Sequence, residues 1–173
     1  TGELCLFLDD DDWLYADHLA KLVRCAGLHT SVKAVHTAVA CVDPVGNPTG
    51  VVFVFLYSPG ELKYGNFMPI HGVMFRRSLV ALGCSFDNQF DLYEDWDFWL
   101  QVEAHTAFAF VPGVSAAYRI DAGSGSGVQV DPEKARLATG TIFSKWETFQ
   151  SKAVFFELVT RSLARRHLSS QVT

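Results

Sequence analysis

The chain has 173 residues and a formal charge of −5, with 14 Lys and Arg against 19 Asp and Glu, and it is 49% hydrophobic and 13% aromatic. That apolar content suffices for one sizeable core, and the length is too short for two ordinary domains. Its basic residues are scattered (Arg76-Arg77, Arg161, Arg165-Arg166), so the sequence lacks the electrostatic footprint of a nucleic-acid binder, and any phosphate-bearing ligand needs a local basic group or a cation.

Taken in chain order, Leu4 to Leu8 is a continuous apolar run, the pattern of a strand buried on both faces, and it stops at four consecutive aspartates, Asp9 to Asp12. The chain begins with Thr1 inside that strand, as a piece of a longer sequence would. Asp17 is placed to cap a helix in which Leu19, Leu22, Val23 and Ala26 recur at helical spacing and which Gly27 stops. Val32 to Val42 and Val51 to Tyr57 are β-rich and are separated by the turn chemistry of residues 43 to 48, which predicts a hairpin. A strand near Val73 to Phe75 and a short helix from Ser78 follow, and EDWDFWLQVEA, from Glu94, reads as a helix.

Two short strands, Ala107 to Val111 and Ala116 to Ile120, are expected to flank Pro112-Gly113. The stretch AGSGSG at 122 to 127 is a flexible linker or mobile loop by composition. Asp131-Pro132-Glu133 starts a helix, and from Phe143 the apolar residues Trp146, Phe149, Ala153, Phe156 and Leu163 mark one face of a long helix.

Cys5, Cys25, Cys41 and Cys84 stand far apart with no CxxC pair, in segments that read as core strand or helix. This usage points to buried thiols in a reduced cytoplasmic protein rather than to a disulfide or zinc frame. The longest strongly apolar run, VVFVFLY at 51 to 57, is about a third of the ~20 residues that a spanning helix needs, so no membrane span is expected.

Four adjacent carboxylates are costly, because charges about 5 Å apart repel by roughly 3 kcal/mol at an effective dielectric near 20. Water and salt, or a metal ion, must offset that repulsion. Ligand sites in open α/β sheets lie at strand C-terminal ends, where this run stands, and hard carboxylate oxygens suit Mg²⁺ or Mn²⁺ carried in with a phosphate substrate. The alternative is a solvated turn that doubles as an acidic helix start.

The second candidate lies on the 94 to 103 helix. At 100° per residue, Glu94, Asp97 and Gln101 fall together on a polar face, whereas Asp95 falls between Trp99 and Val102 on the apolar side. An inward carboxylate in a first helical turn is favoured by the helix dipole, while burial raises its pKa, and the combination suits a general base. It equally suits a structural acid bonded to a loop, or a neighbour of a Glu94–Asp91 capping box. The six histidines show no metal-binding spacing and read as structural or exposed, except that His71, in a loop before a strand, is placed for a third ligand or a substrate contact.

Together, FLDDDDWLYADHL, NFMPIHGVMFRRSL, FDNQFDLYEDWDFWLQV and AAYRIDAGSGS resemble, in order and approximate spacing, the second half of the catalytic domain of inverting glycosyltransferases of family 2, which have the GT-A fold. The resemblance covers most of residues 2 to 127. It implies an α/β architecture, a partial GT-A fold with a three-layer mixed sheet, in residues 1 to 127, and the helical extension read over 128 to 173 lies outside the resemblance.

It also implies that Asp9-Asp10-Asp11 is a DXD motif in which Asp11 and Asp9 hold Mg²⁺ or Mn²⁺ against a nucleotide diphosphate sugar donor, and that Asp95 is the base that deprotonates a carbohydrate or other hydroxyl acceptor. Glu94, His71, Trp96 and Arg119 are then expected to contact substrate, and Arg76-Arg77 to lie in the same substrate-lining segment. The family's N-terminal βαβ portion, which binds base and ribose, has no counterpart in the residues that match. Exposed strand edges and homo-oligomerisation are therefore expected.

Two other readings compete. One is a truncated, non-catalytic GT-A-like module that self-associates or binds sugar. The other is a phosphatase with a DxD nucleophile, which requires a small hydroxyl residue where Trp13 stands.

Overall fold

The computed structural model describes residues 2–120 and 131–146. It is a mixed α/β protein built on one curled sheet. The strands are β1 (Leu4–Leu6), β2 (Trp13–Leu14), β3 (Ala34–Val42), β4 (Pro48–Phe53), β5 (Val73–Arg76) and β6 (Phe108–Arg119). The helices are α1 (His18–Leu28), α2 (Ser78–Ala81), α3 (Glu94–Glu103) and α4 (Pro132–Trp146), with 3-10 turns at Glu61–Tyr64 and Ile70–Gly72.

The strands run β1-β5-β3-β6-β2, and β4 pairs with β3 beside β5. Only β3 and β6 are parallel, and every other pairing is antiparallel. The long β3 is the spine. Its first half, Ala34 to His36, pairs with β5, its second half, Val39 to Val42, pairs with β4, and β6 follows the whole of its other edge.

Strand alternation sends successive side chains to opposite faces, and two cores result. On one face Leu22 and Ala26 of α1 pack on Val35, Met74 and Val111. On the other, Ala34, Val73, Phe75 and Phe108 meet Trp96, Phe98, Trp99 and Val102 of α3, and Ile142 of α4 joins them. Helices therefore cover both faces of the sheet, in three layers.

Several elements differ from the sequence reading. The first strand is three residues long, half-buried and at the sheet edge, and Leu8 is exposed, so it is not buried on both faces. Asp17 makes no capping bond and pairs with Lys21 at 2.7 Å. The hairpin forms, but its second strand is Pro48–Phe53 rather than 51 to 57.

The two strands expected around Pro112-Gly113 are one strand with a bulge. Val111 sits opposite Thr37 and Val114 opposite Ala38, so the proline that cannot donate to the ladder is extruded from it together with Gly113, at φ 92°. The Thr37 hydroxyl fastens the bulge by donating to the Gly113 carbonyl at 2.8 Å.

The helix start at Asp131 forms as expected, with Oδ1 accepting the N–H groups of Glu133 and Lys134, both at 2.9 Å. The 122 to 127 stretch and the helix expected beyond Trp146 lie outside the described residues. Cys41 and Cys84 are buried, Cys5 and Cys25 are half-buried, and all four are free thiols. Among the described residues no helix is long and apolar enough to cross a membrane.

Candidate functional site

Five chain segments line one cavity of about 350 Å³, Phe53 and Tyr118 each standing alone and the other three carrying its acids and Asn66. The first is the turn after β1. Phe7 anchors it by packing its ring on Phe75 and Phe98, at centroid distances of 5.4 and 5.6 Å, so that the chain leaves the core just before Asp9. The turn itself is closed by one long backbone bond, Asp12 N–H to Asp9 carbonyl at 3.3 Å. Short pairing of β2 with β6, Trp13 opposite Ala117 and Leu14 opposite Ala116, then brings Tyr118 and Arg119 alongside the acids.

The second segment is the loop from Leu62 to Ile70, which α3 holds through two buried indoles. Trp96 Nε1 donates to the Leu62 carbonyl at 2.6 Å and Trp99 Nε1 to the Met68 carbonyl at 3.1 Å. The third is the start of α3. Tyr93 is its N-cap and takes a left-handed backbone, φ 65° and ψ 25°, which turns the chain into the helix and leaves Tyr93, Glu94 and Asp95 on the cavity wall.

Asp9 and Asp11 line this cavity together with Glu94, Asp95 and Asp91, so five of the fourteen lining residues are acids. None of the fourteen is basic. Asn66 donates from Nδ2 to Asp95 Oδ2 at 2.8 Å, and Asp95 Oδ1 accepts the Trp96 N–H at 2.7 Å, which fixes the carboxylate in the first turn. Even with those two donors, burial and then the neighbouring Glu94 push the Asp95 pKa up to about 7. Asp9 is also raised, by partial burial first and then by Asp12 and Asp11, although the residue remains open to solvent and its repulsions are screened. Burial and the nearby Asp12 likewise raise the Tyr118 phenol.

The remaining sequence candidates are placed differently. Arg119 lies outside the lining, with its guanidinium 3.3 Å from Asp11 Oδ2, and both side chains are about one-third exposed. His71 is fully buried and does not line the cavity. Its Nδ1 is 2.8 Å from Asp12 Oδ2, behind the acidic turn. Trp96 is 4% exposed and spends its only donor on Leu62, which makes it a support of the loop rather than part of the wall. Arg76 and Arg77 belong to a separate, shallow depression with Glu3.

Asp97, placed on a polar face by the helical wheel, is fully buried, because α4 packs over that face and supplies donors to it. Asn66, Asp91 and the buried Asp12 were not singled out by sequence as site residues. A lone Asn in a loop and the last member of an acidic run carry no periodicity that separates them from their neighbours.

Among the described residues no group of three His, Cys, Asp or Glu has metal-holding geometry. Asp9 and Asp11 both line the cavity, and their carboxylates are the ligand type taken by a cation such as Mg²⁺ or Mn²⁺, which uses one or two of them and completes its shell with water and substrate phosphate. They do not fit a closed protein cage. No protein-family model matches the chain, and no curated protein matches it either.

Proposed function

We propose that the chain is the metal-binding and catalytic part of an inverting, family 2-like glycosyltransferase, which moves a sugar from a nucleotide diphosphate sugar to an acceptor hydroxyl. The observation that carries this reading is the sharing of one cavity by Asp9, Asp11 and an Asp95 whose pKa is near 7. A carboxylate at that value is basic enough to accept a hydroxyl proton and still ionised in useful amount at neutral pH.

In the reaction, Asp95 takes the acceptor proton, the acceptor oxygen bonds to the anomeric carbon, and the bond from that carbon to the diphosphate oxygen breaks with its electron pair leaving on the nucleoside diphosphate. Attack opposite the leaving group inverts the anomeric centre. Asn66 orients the base, and burial, with Glu94 beside it, keeps its pKa high. Asp9 and Asp11 would hold the divalent cation, which when bound supplies Lewis-acid stabilisation of the leaving diphosphate. Among the described residues the lining carries five acids and no base, and that local negative charge favours a cation beside a diphosphate.

A thermal-shift titration of the full chain with Mn²⁺ and a panel of nucleoside diphosphates tests the reading. At about 100 times Kd, binding stabilises by about 2.7 kcal/mol, a rise of roughly 5–10 °C for a domain of this size. Asp11→Asn should abolish the shift. A wild type that shows no metal-dependent nucleotide shift would favour the non-catalytic module instead.

A further inference from the structure

We infer that Asp12 and His71 form a buried positioning pair that sets the placement of Asp9 and Asp11 for cation binding, a role that rests on the metal-dependent reading above. Asp12 stands in the same run as the two cavity acids but is turned away from them. Its side chain is 1% exposed and that of His71 is 0% exposed. The carboxylate joins two elements that are otherwise far apart in sequence. Oδ1 accepts the backbone N–H of Arg119 at the end of β6 (2.9 Å), and Oδ2 meets Nδ1 of His71, in the 3-10 turn before β5, at 2.8 Å.

The two oxygens meet different elements: Oδ1 is hydrogen-bonded to the sheet, while Oδ2 is in close contact with the imidazole without the alignment of a hydrogen bond, so among the described residues the nearby ring is the one polar group that faces its buried charge. Phe7 anchors the turn at its start and Arg119 reaches Asp11 within it, but its own backbone bond is 3.3 Å long and β2 beyond it is two residues, so its buried end is held mainly through Asp12. Its register on the sheet thus depends on where Asp12 is fastened. The His71 ring also lies parallel to the ring of Tyr118, at 5° and a centroid distance of 6.2 Å, and Tyr118 lines the cavity. One buried pair therefore backs both the acidic turn and the wall beside it. Neither residue touches the cavity, so both act through others.

The test measures the Mn²⁺ dissociation constant of the full chain by electron paramagnetic resonance of free Mn²⁺, well below the melting midpoint, beside circular dichroism and thermal melts. Asp12→Asn keeps an oxygen for the Arg119 N–H and removes the charge facing His71. His71→Leu removes the polar ring that faces Asp12 Oδ2, and His71→Asn returns a polar group close to where Nδ1 stands.

Asp12→Asn and His71→Leu should each weaken Mn²⁺ binding by about 10- to 100-fold, the usual effect of losing a group that orients metal ligands. His71→Asn should restore most of the affinity, and the double variant should bind no worse than either single one. Variants that melt earlier but bind Mn²⁺ like the wild type overturn the role and leave the proposed function standing. A wild type that binds no Mn²⁺ overturns both.

Should the variants fail to fold, amide exchange at Arg119 in the unaltered chain decides. It should slow on saturation with Mg²⁺, because loading the turn tightens the Asp12 acceptor, and unchanged exchange overturns the role.

Discussion

The indole Nε1 of Trp146 donates to Asp97 Oδ1 at 2.8 Å, so the last described turn of α4 is fastened to a carboxylate that has no exposed surface. Lys145 reaches the same carboxylate at 3.0 Å and Gln101 at 2.8 Å, and Lys145 also bridges to Asp87 at 2.7 Å. Asp97→Ala leaves the Trp146 indole without an acceptor and takes one of two acceptors from Lys145 and from Gln101, and it should cost about 3 kcal/mol in urea unfolding. Lys145→Met should cost less, because Lys145 is one-third exposed and two neutral donors remain on Asp97.

Asp95 predicts a pH dependence of opposite sign for stability and for activity. Its folded pKa of about 7 lies above the ordinary carboxylate value, so between the two values the folded chain holds a proton that the unfolded chain releases. Its contribution to stability is therefore fully present below the unfolded value and is lost as pH rises through about 7. Asp95→Asn should flatten that decline in melts across the range. If Asp95 is the base, kcat/KM of the wild type should rise with an apparent pKa near 7, and Asp95→Asn should remove transfer while leaving nucleoside diphosphate binding intact. Equal loss of binding would mark Asp95 as a structural acid.

Gly72 is required by contact rather than by dihedral angle. A Cβ there would stand 2.7 Å from Val39 Cγ2, and Val39 is fully buried in the sheet spine. Gly72→Ala should destabilise by about 1–3 kcal/mol through overpacking. Val39→Ala in the same chain should recover part of that loss, so a double-mutant cycle of thermal midpoints should show a favourable coupling.

Tyr93 is the one non-glycine with positive φ among the described residues, at 65°. That backbone costs an L-residue roughly 1–2 kcal/mol, and its ring gives back part of the cost by packing edge-on against Trp96 at 5.7 Å. Removing the ring by Tyr93→Ala keeps the strain, whereas Tyr93→Gly relieves it. The glycine variant should therefore be the more stable of the two by about 1 kcal/mol in denaturant melts, the reverse of the order inside a helix.

Much of the fold was legible locally. The helix after Asp17, the hairpin around residues 43 to 48, the strand at Val73 and the helix at Glu94 all carry apolar periodicity or turn chemistry, and the elements appear where those signals lie. The Pro112-Gly113 break was misread because a proline marks the end of a ladder only if the chain does not rejoin it, and β3 offers a long enough edge for β6 to do so. The Asp97 position was misread because a helical wheel sees one helix, and the partner that covers this face is α4, more than thirty residues later.

By itself the sequence determined the types of element, the acidic run at the end of a strand and an aspartate in the first turn of α3, since these follow from local propensity and spacing. Local chemistry does not tell the four aspartates apart, because each has the same neighbours in kind; the resemblance alone singled out Asp9 and Asp11, and the inward turn of Asp12 was decided only by the tertiary structure. The pairing of β2 with β6 and the pocket behind the turn separate them. Asp9 and Asp11 face the cavity with Asp95, and Asp12 goes inward to His71 and the Arg119 backbone. Trp96 and His71, expected from the resemblance to contact substrate, are drawn into the interior by distant segments, the indole to the Leu62 carbonyl and the imidazole to within 2.8 Å of Asp12 Oδ2.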